Sequence, residues 1–330
     1  MSAWILRTVG VLLMLTALGL SLSRAPDRPV ETLVARWAPP PSDFIDVKGQ
    51  IVHLRDEGPR GDPEPLLLIH GTGASLHTWQ GWVKTLKTRR RVISFDLPGF
   101  GLTGPWSGTY RGADAKADAN ADAGDDYRIE RYLRFVQDLM DALKLQRVVM
   151  VGNSLGGEIA WRSAVRTPQR VAALVLVDSL GPAFTPQSVP LGFVMARMPV
   201  INHLAEFALP RALVQQGLAD VYGDPTRIDT ELVDRYFELA LRSGNRRALS
   251  LFVRSLVPGE AAADIASLKL PTLILWGGRD RLIPPAVGRE FQQRIAGSRL
   301  VVFDELGHVP QEEDPARSLV PVLEFLGLQK

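Results

Sequence analysis

The feature that most constrains this chain is an apolar run, Val148-Val149-Met150-Val151, that passes without a spacer into Gly152-Asn153-Ser154-Leu155-Gly156-Gly157 and then into a helix-forming segment, EIAWRSAV. The run reads as a buried strand. A helix beginning so soon after it forces a sharp turn. Backbone segments at Gly152 and Gly156 must then come close enough for side chains there to clash, and Ser154 is pushed to a strained apex. Its hydroxyl stands at a helix N-terminus, where amide dipoles favour developing negative charge. A serine so placed is a candidate nucleophile; an ordinary helix cap is the other use of the same residue.

Around this turn the chain alternates strand and helix signals. Residues 65–70, 91–96, 147–152, 171–177, 272–276 and 299–303 are short apolar runs bounded by turn residues, as expected of strands buried on both faces of a parallel sheet. Residues 44–47 and 50–56, separated by Lys48-Gly49, read as a hairpin at an antiparallel edge. Between the runs lie helical patterns. The clearest places Ile129, Tyr132, Leu133, Val136, Leu139, Met140 and Leu143 on one helix face. Together these predict an α/β fold built on a mostly parallel, doubly wound sheet. A length of 330 residues allows one such core with a large insertion. That insertion is expected at 182–266, between the sixth strand and the seventh. It is rich in Leu, Phe, Val and Ala, has helical stretches at 230–242 and 245–256, and reads as a helical cap with an apolar roof over a pocket. The core then comprises 44–181 and 267–330. Residues 113–126 (ADAKADANADAGDD) offer nothing bulky to bury and read as a solvated loop insertion.

The amino-terminal region reads differently. Residues 8–23 (TVGVLLMLTALGLSLS) are almost all apolar or small, so 1–25 is expected to be a membrane anchor or signal segment. Pro26, Pro29, Pro39, Pro40 and Pro41 make 26–43 a linker in which neither helix nor central strand is expected. A basic start ahead of an apolar stretch has the shape of a secretory signal, which implies an uncleaved anchor and an extracytoplasmic domain. Cleavage near Ser23-Arg24-Ala25 would instead release a secreted or periplasmic protein.

Composition removes several chemistries. With 38 Lys and Arg against 36 Asp and Glu, and no basic cluster interleaved with aromatics, nucleic acid is not an expected partner. The absence of cysteine excludes disulfides, thiolate nucleophiles and Cys-ligated metals. No H-E-x-x-H motif, P-loop or dinucleotide fingerprint is present, so neither metal nor cofactor is expected. The expected partner is a small-molecule substrate, and oligomeric state is not legible.

A serine nucleophile needs a base held in the right tautomer by a carboxylate. The five histidines are His53 in an edge strand, His70 and His77 near the Gly71-Thr72-Gly73 turn, His203 in the cap, and His308 after the last strand. His308 is the candidate base because it emerges at the carboxyl edge of the sheet, beside Ser154. For the acid, Asp280 follows the seventh strand and Asp178 the sixth. Geometry alone leaves both open. His70-Gly71-Thr72-Gly73 follows a strand where small residues would let backbone amides reach a substrate oxygen, and the amides of Thr72 and Leu155 are the expected oxyanion donors.

The motifs HGTG, DLPGFGLTG, VGNSLGG, LILWGGRDRLIP and LGHVPQEEDP, in this order, resemble the strand-end motifs of the α/β-hydrolase superfamily from about residue 44 onward. The resemblance implies a Ser154–Asp280–His308 triad, with the acid after strand seven rather than at Asp178, and a cap between strands six and seven. It disfavours the haloalkane dehalogenase and epoxide hydrolase branches, which carry aspartate where Ser154 stands, and it makes Asp96-Leu97-Pro98-Gly99 a structural turn. The activity expected is hydrolysis of a small, largely apolar carboxylic ester through an acyl-enzyme. Its rivals are C–C bond hydrolysis of the meta-cleavage type, a cofactor-free perhydrolase and, from another class, a non-catalytic ligand-binding protein on the same scaffold.

Overall fold

Short β-branched and leucine-rich runs that cannot satisfy a half-polar surface pair with one another and are covered on both faces. The computed structural model describes residues 23–110, 125–198 and 207–329, with isolated positions between 4 and 19. Eight strands form one sheet: β1 (Ser42–Val47), β2 (Gln50–Glu57), β3 (Leu66–Ile69), β4 (Val92–Phe95), β5 (Val148–Asn153), β6 (Val171–Val177), β7 (Thr272–Gly277) and β8 (Arg299–Phe303). Their order is β1-β2-β4-β3-β5-β6-β7-β8. β1 and β2 form the expected hairpin, closing at the pair Val47 and Gln50, and β2 lies antiparallel to β4. All other pairings are parallel.

Side-chain alternation along the strands divides the core in two. Leu67, Ile69, Ile93, Phe95 and Met150 point to one face, where they meet Tyr132, Phe135, Val136 and Leu139 of the helix Ile129–Ala142. Leu66, Leu68, Val92, Val149 and Val151 point to the other and meet Trp82, Leu86, Leu319 and Val322. Each such buried side chain contributes about 1.5–3 kcal/mol. The fold is thus held from both sides, as a doubly wound sheet requires.

The parallel register fixes where function can sit. Ile69 pairs with Gly152, Asn153 with Val177, Val177 with Leu275, and Gly277 with Phe303, so the strands end level with one another. The turns that follow them, carrying Gly71-Thr72, Ser154, Asp178, Asp280 and His308, leave from one edge of the sheet.

One expectation fails. The Pro-rich stretch 26–43 holds a helix, Glu31–Trp37, and the first strand starts at Ser42, inside the stretch expected to be a linker. The prolines exclude helix only at and just around themselves, and 30–38 is free of them. Leu33 and Trp37, four residues apart on one helix face, bury against Leu102 and Leu239. Trp37 Nε1 also donates to Glu238 at 2.7 Å. The segment is docked on the domain through these contacts.

Between β6 and β7 the chain forms the helices Leu191–Arg197, Arg211–Val221, Thr230–Ala240 and Asn245–Ser255. Asp229 caps the third by accepting from the amide of Leu232 at 2.7 Å. Most of the expected loop insertion 113–126 lies outside the described residues, as do His203 and most of the apolar run 8–23. Among the described residues no helix is long and apolar enough to cross a membrane.

Candidate active site

Ser154 sits at the junction of β5 and the helix Leu155–Arg166 with φ 55° and ψ −117°, a left-handed conformation that a non-glycine residue adopts only under strain. The surrounding glycines are required by close approach. A Cβ on Gly152 would lie 2.1 Å from the carbonyl oxygen of Gly156, and one on Gly156 would lie 2.1 Å from that of Ile69. Gly71 is confined less severely, its would-be Cβ falling 3.0 Å from Ser154 Cβ. The turn carrying Thr72 therefore lies against the serine.

That turn is held by His70. The Leu97 amide donates to His70 Nε2 at 2.9 Å, so the ring's proton is on Nδ1, where it donates to the Gly71 carbonyl at 2.8 Å. Complete burial holds the imidazole neutral by lowering its pKa. Asp96, in the turn after β4, accepts from the Leu76 and Leu102 amides at 2.7 and 2.8 Å and from His53 Nδ1 at 2.7 Å. His77 donates from Nε2 to the Trp37 carbonyl at 2.8 Å, and burial pushes its pKa down to about 3. Three of the five histidines are thus committed to structure.

His308 is placed differently. Its Nδ1 lies 2.7 Å from Asp280 Oδ2, while Asp280 Oδ1 accepts from the Leu282 and Ile283 amides at 2.8 and 2.9 Å. The carboxylate is aimed by those two amides and the imidazole by the carboxylate, which leaves Nε2 for proton exchange. The His308 backbone is gripped on both sides. Its N–H donates to the Val221 carbonyl at 2.7 Å, and its carbonyl accepts from Asn153 Nδ2 at 3.0 Å. Asn153 immediately precedes Ser154, so the loop carrying the imidazole is tied to the turn carrying the serine. Ser154, Asp280 and His308 are each at most 6% exposed.

Asp178 stands nearby without serving His308. Its Oδ1 accepts from the Gly277 amide at 2.9 Å, and its Oδ2 is buried without a partner. Complete burial, and then the Asp280 charge, push its carboxyl well above the usual range. Ligand atoms of Asp178, Asp280 and His308 lie within 4.8 Å of one another, a spacing that could suit a cation.

Three further residues shape the site. Asn153 is one; Glu313 is another, accepting from the amides of Gly223, Asp224 and Gly307 at 3.0, 2.8 and 2.7 Å. Val221 is the third. It lines an apolar cavity of about 200 Å³ among the helices between β6 and β7, shared with Phe193, Leu213 and Leu218 and reaching Thr72 and Gly73. The cavity touches the turn beside Ser154 and the residue bonded to His308. Ser154 itself is not among its lining residues.

A family model described as the alpha/beta hydrolase fold matches residues 64–315. The chain belongs to that family. Among curated α/β-hydrolase relatives, the 2-hydroxy-6-oxo-2,4-heptadienoate hydrolase of Pseudomonas putida (strain F1) is 31% identical over 277 residues, covering 82% of this chain and 91% of that one. The 2-hydroxymuconate semialdehyde hydrolase of Pseudomonas sp. (strain CF600) is 32% identical over 272 residues, covering 79% and 86%. Of solved α/β-hydrolase structures, the meta-cleavage product hydrolase from Pseudomonas fluorescens IP01 matches with a TM-score of 0.67 and 23% identity over 86% of this chain and 97% of that one, a likeness of fold.

Proposed function

We propose that this α/β hydrolase cleaves a carboxylic ester of a largely apolar acyl group through an acyl-enzyme. Ser154 Oγ attacks the acyl carbon, His308 takes the hydroxyl proton on Nε2, and Asp280 holds the resulting imidazolium from Nδ1. The backbone amides of Thr72 and Leu155 stabilise the tetrahedral oxyanion. His308 returns the proton to the leaving alcohol, and water attacks the acyl-enzyme by the same route.

The observation that carries the ester reading is the lining of the cavity. Its walls are Phe, Met, Leu, Val, Ala, Gly and Pro almost throughout, which favours an uncharged acyl chain. In this reading the helices between β6 and β7 act as the cap. A second reading, C–C bond hydrolysis as in the named relatives, is favoured by Arg246. This residue lines the same cavity, is held by Asp27 at 2.6 Å, and keeps Nε and Nη1 buried without partners, so a substrate carboxylate could engage it. Turnover of p-nitrophenyl esters of increasing acyl length beside a 2-hydroxy-6-oxo-dienoate tests the two. The ester reading expects turnover to rise with chain length to a limit set by the cavity; turnover of the dienoate alone would contradict it.

The run 8–23 supports attachment to a membrane with the hydrolase domain on the extracytoplasmic side. Fractionation of the full chain and of a chain lacking 1–25, with protease added before and after permeabilisation, tests both points. Full-length protein found wholly in the soluble fraction would contradict attachment, and protection from protease until permeabilisation would contradict the orientation.

A further inference from the structure

The residues that end the apolar run 8–23 meet two residues that line the cavity. Where the chain leaves that run, the Ser23 carbonyl accepts from the Leu209 amide at 3.1 Å and the Ala25 amide donates to the Phe207 carbonyl at 3.0 Å, with Arg24 and Ala208 bridged antiparallel between them. Ala208 and Leu209 line the cavity. Ser23, the last residue of the apolar run, is therefore fixed beside the cavity wall, which we take here as its rim.

The rim is apolar on its outer surface as well. In the helix Leu191–Arg197, Phe193, Met195 and Ala196 line the cavity, while Leu191 and Val194 turn outward and Met198 continues their face. Apart from Arg197 at its end, this helix has only apolar and small side chains to present to its surroundings. Leu191 is 53% exposed and Phe207 70%. Of the nine exposed large hydrophobic residues described beyond residue 23, five (Val189, Leu191, Val194, Met198 and Phe207) fall between 189 and 207; of the other four, Phe44 and Ile51 share the β1–β2 hairpin, and Val257 and Val320 stand apart. Clustering of this kind marks a binding surface. Arg24, bridged to Ala208, and Arg197, at the end of this helix, are both exposed and would complement anionic headgroups.

We propose that this rim docks on a lipid bilayer, so that the cavity opens toward the membrane and draws its substrate, an acyl ester of a membrane lipid, directly from it. The proposal rests on the serine-hydrolase reading above and specifies its substrate class. The bond broken is the ester bond between the acyl carbon and the lipid's alcohol oxygen. The acyl group passes to Ser154 Oγ, the alcohol leaves with the serine's proton, and water then releases the fatty acid.

The absence of cysteine permits a clean test. In the full chain, Val194→Cys and, separately, Val320→Cys are labelled with an environment-sensitive fluorophore and mixed with vesicles of phosphatidylcholine and phosphatidylglycerol. Val320 is also exposed but lies on the helix Pro315–Phe325. The label at 194 is expected to shift to the blue and to be quenched by lipid-borne quenchers, and the label at 320 to do neither. An unshifted label at 194, whether or not vesicles bind, overturns the proposal. So does a shift without lipid quenching, which would indicate a second copy covering the face. In the activity arm, the double variant Val194→Asp, Met198→Asp should keep its turnover of soluble p-nitrophenyl acetate and lose at least about tenfold on an ester embedded in vesicles. Equal retention on both substrates overturns the proposal, whereas no turnover of the soluble ester by the unmodified chain would count against the hydrolase reading, independently of where the label lies.

Discussion

Asn153 and His308, 155 positions apart in the chain, are joined by a hydrogen bond of 3.0 Å from the carboxamide Nδ2 to the main-chain carbonyl. The same Nδ2 donates to the Val177 carbonyl at 3.1 Å. One buried side chain thus connects the serine turn, the end of β6 and the loop that carries the imidazole.

Replacing Asn153 by Leu should leave the His308 carbonyl without that donor, at a cost of about 1–3 kcal/mol, whereas the Val177 carbonyl keeps the Ser154 amide at 3.0 Å. His308 would lose one of the two hydrogen bonds described for its own backbone, keeping the one to Val221. The expected result is a fall in kcat of about 10- to 100-fold with a lowered melting temperature, read from ester kinetics and thermal denaturation. A variant with unchanged kcat would show that the Val221 contact alone positions His308.

The two aspartates should behave oppositely. Asp280→Asn puts an amide opposite His308 Nδ1, favours the wrong tautomer and should lower kcat by about 10⁴-fold. Asp178→Asn keeps the acceptor used by the Gly277 amide at a position where burial already disfavours a charge, so its kcat should stay within a few-fold of the parent. Steady-state kinetics on both variants decide the assignment. A crippling Asp178→Asn beside a mild Asp280→Asn would reverse it.

Glu158, in the first turn of the helix after Ser154, gives a pH-dependent prediction. Burial, opposed by Arg162, pushes its carboxyl up to about 7 from an ordinary 4.5. Between those values the unfolded chain has released a proton that the folded chain keeps. The associated stability is present below about pH 4.5 and lost as pH rises through 7. Glu158→Gln escapes this loss, so its stability relative to the parent should increase between pH 5 and pH 8 by roughly 2 kcal/mol. Denaturation at both pH values measures it; a constant difference would show that Glu158 does not titrate in this window.

Much of this architecture is legible in the chain because the signals are local. The runs at 147–152 and 171–177 are strands where their apolar content places them, and the glycines at 152 and 156 meet the carbonyls that the sharp turn implied. Local signals also misled. Five prolines concealed the helix Glu31–Trp37, whose stability comes from Leu102 and Leu239, far away in sequence. The supporting residues stayed hidden for the same reason. Glu313 looks like one acid among several in QEEDP until it is seen receiving the amide of Gly223, 90 residues earlier. Nor does anything beside Val221 announce that its carbonyl will hold His308.

The central claim, that Ser154 is the nucleophile, is tested most directly by labelling the purified chain with a fluorophosphonate and mapping the modified residue, beside Ser154→Ala. The account predicts a single adduct on Ser154, no labelling of the variant, and ester turnover reduced by about 10³-fold or more at a melting temperature close to the parent's. Undiminished turnover in purified Ser154→Ala, or an adduct on another residue with Ser154 unmodified, would contradict it.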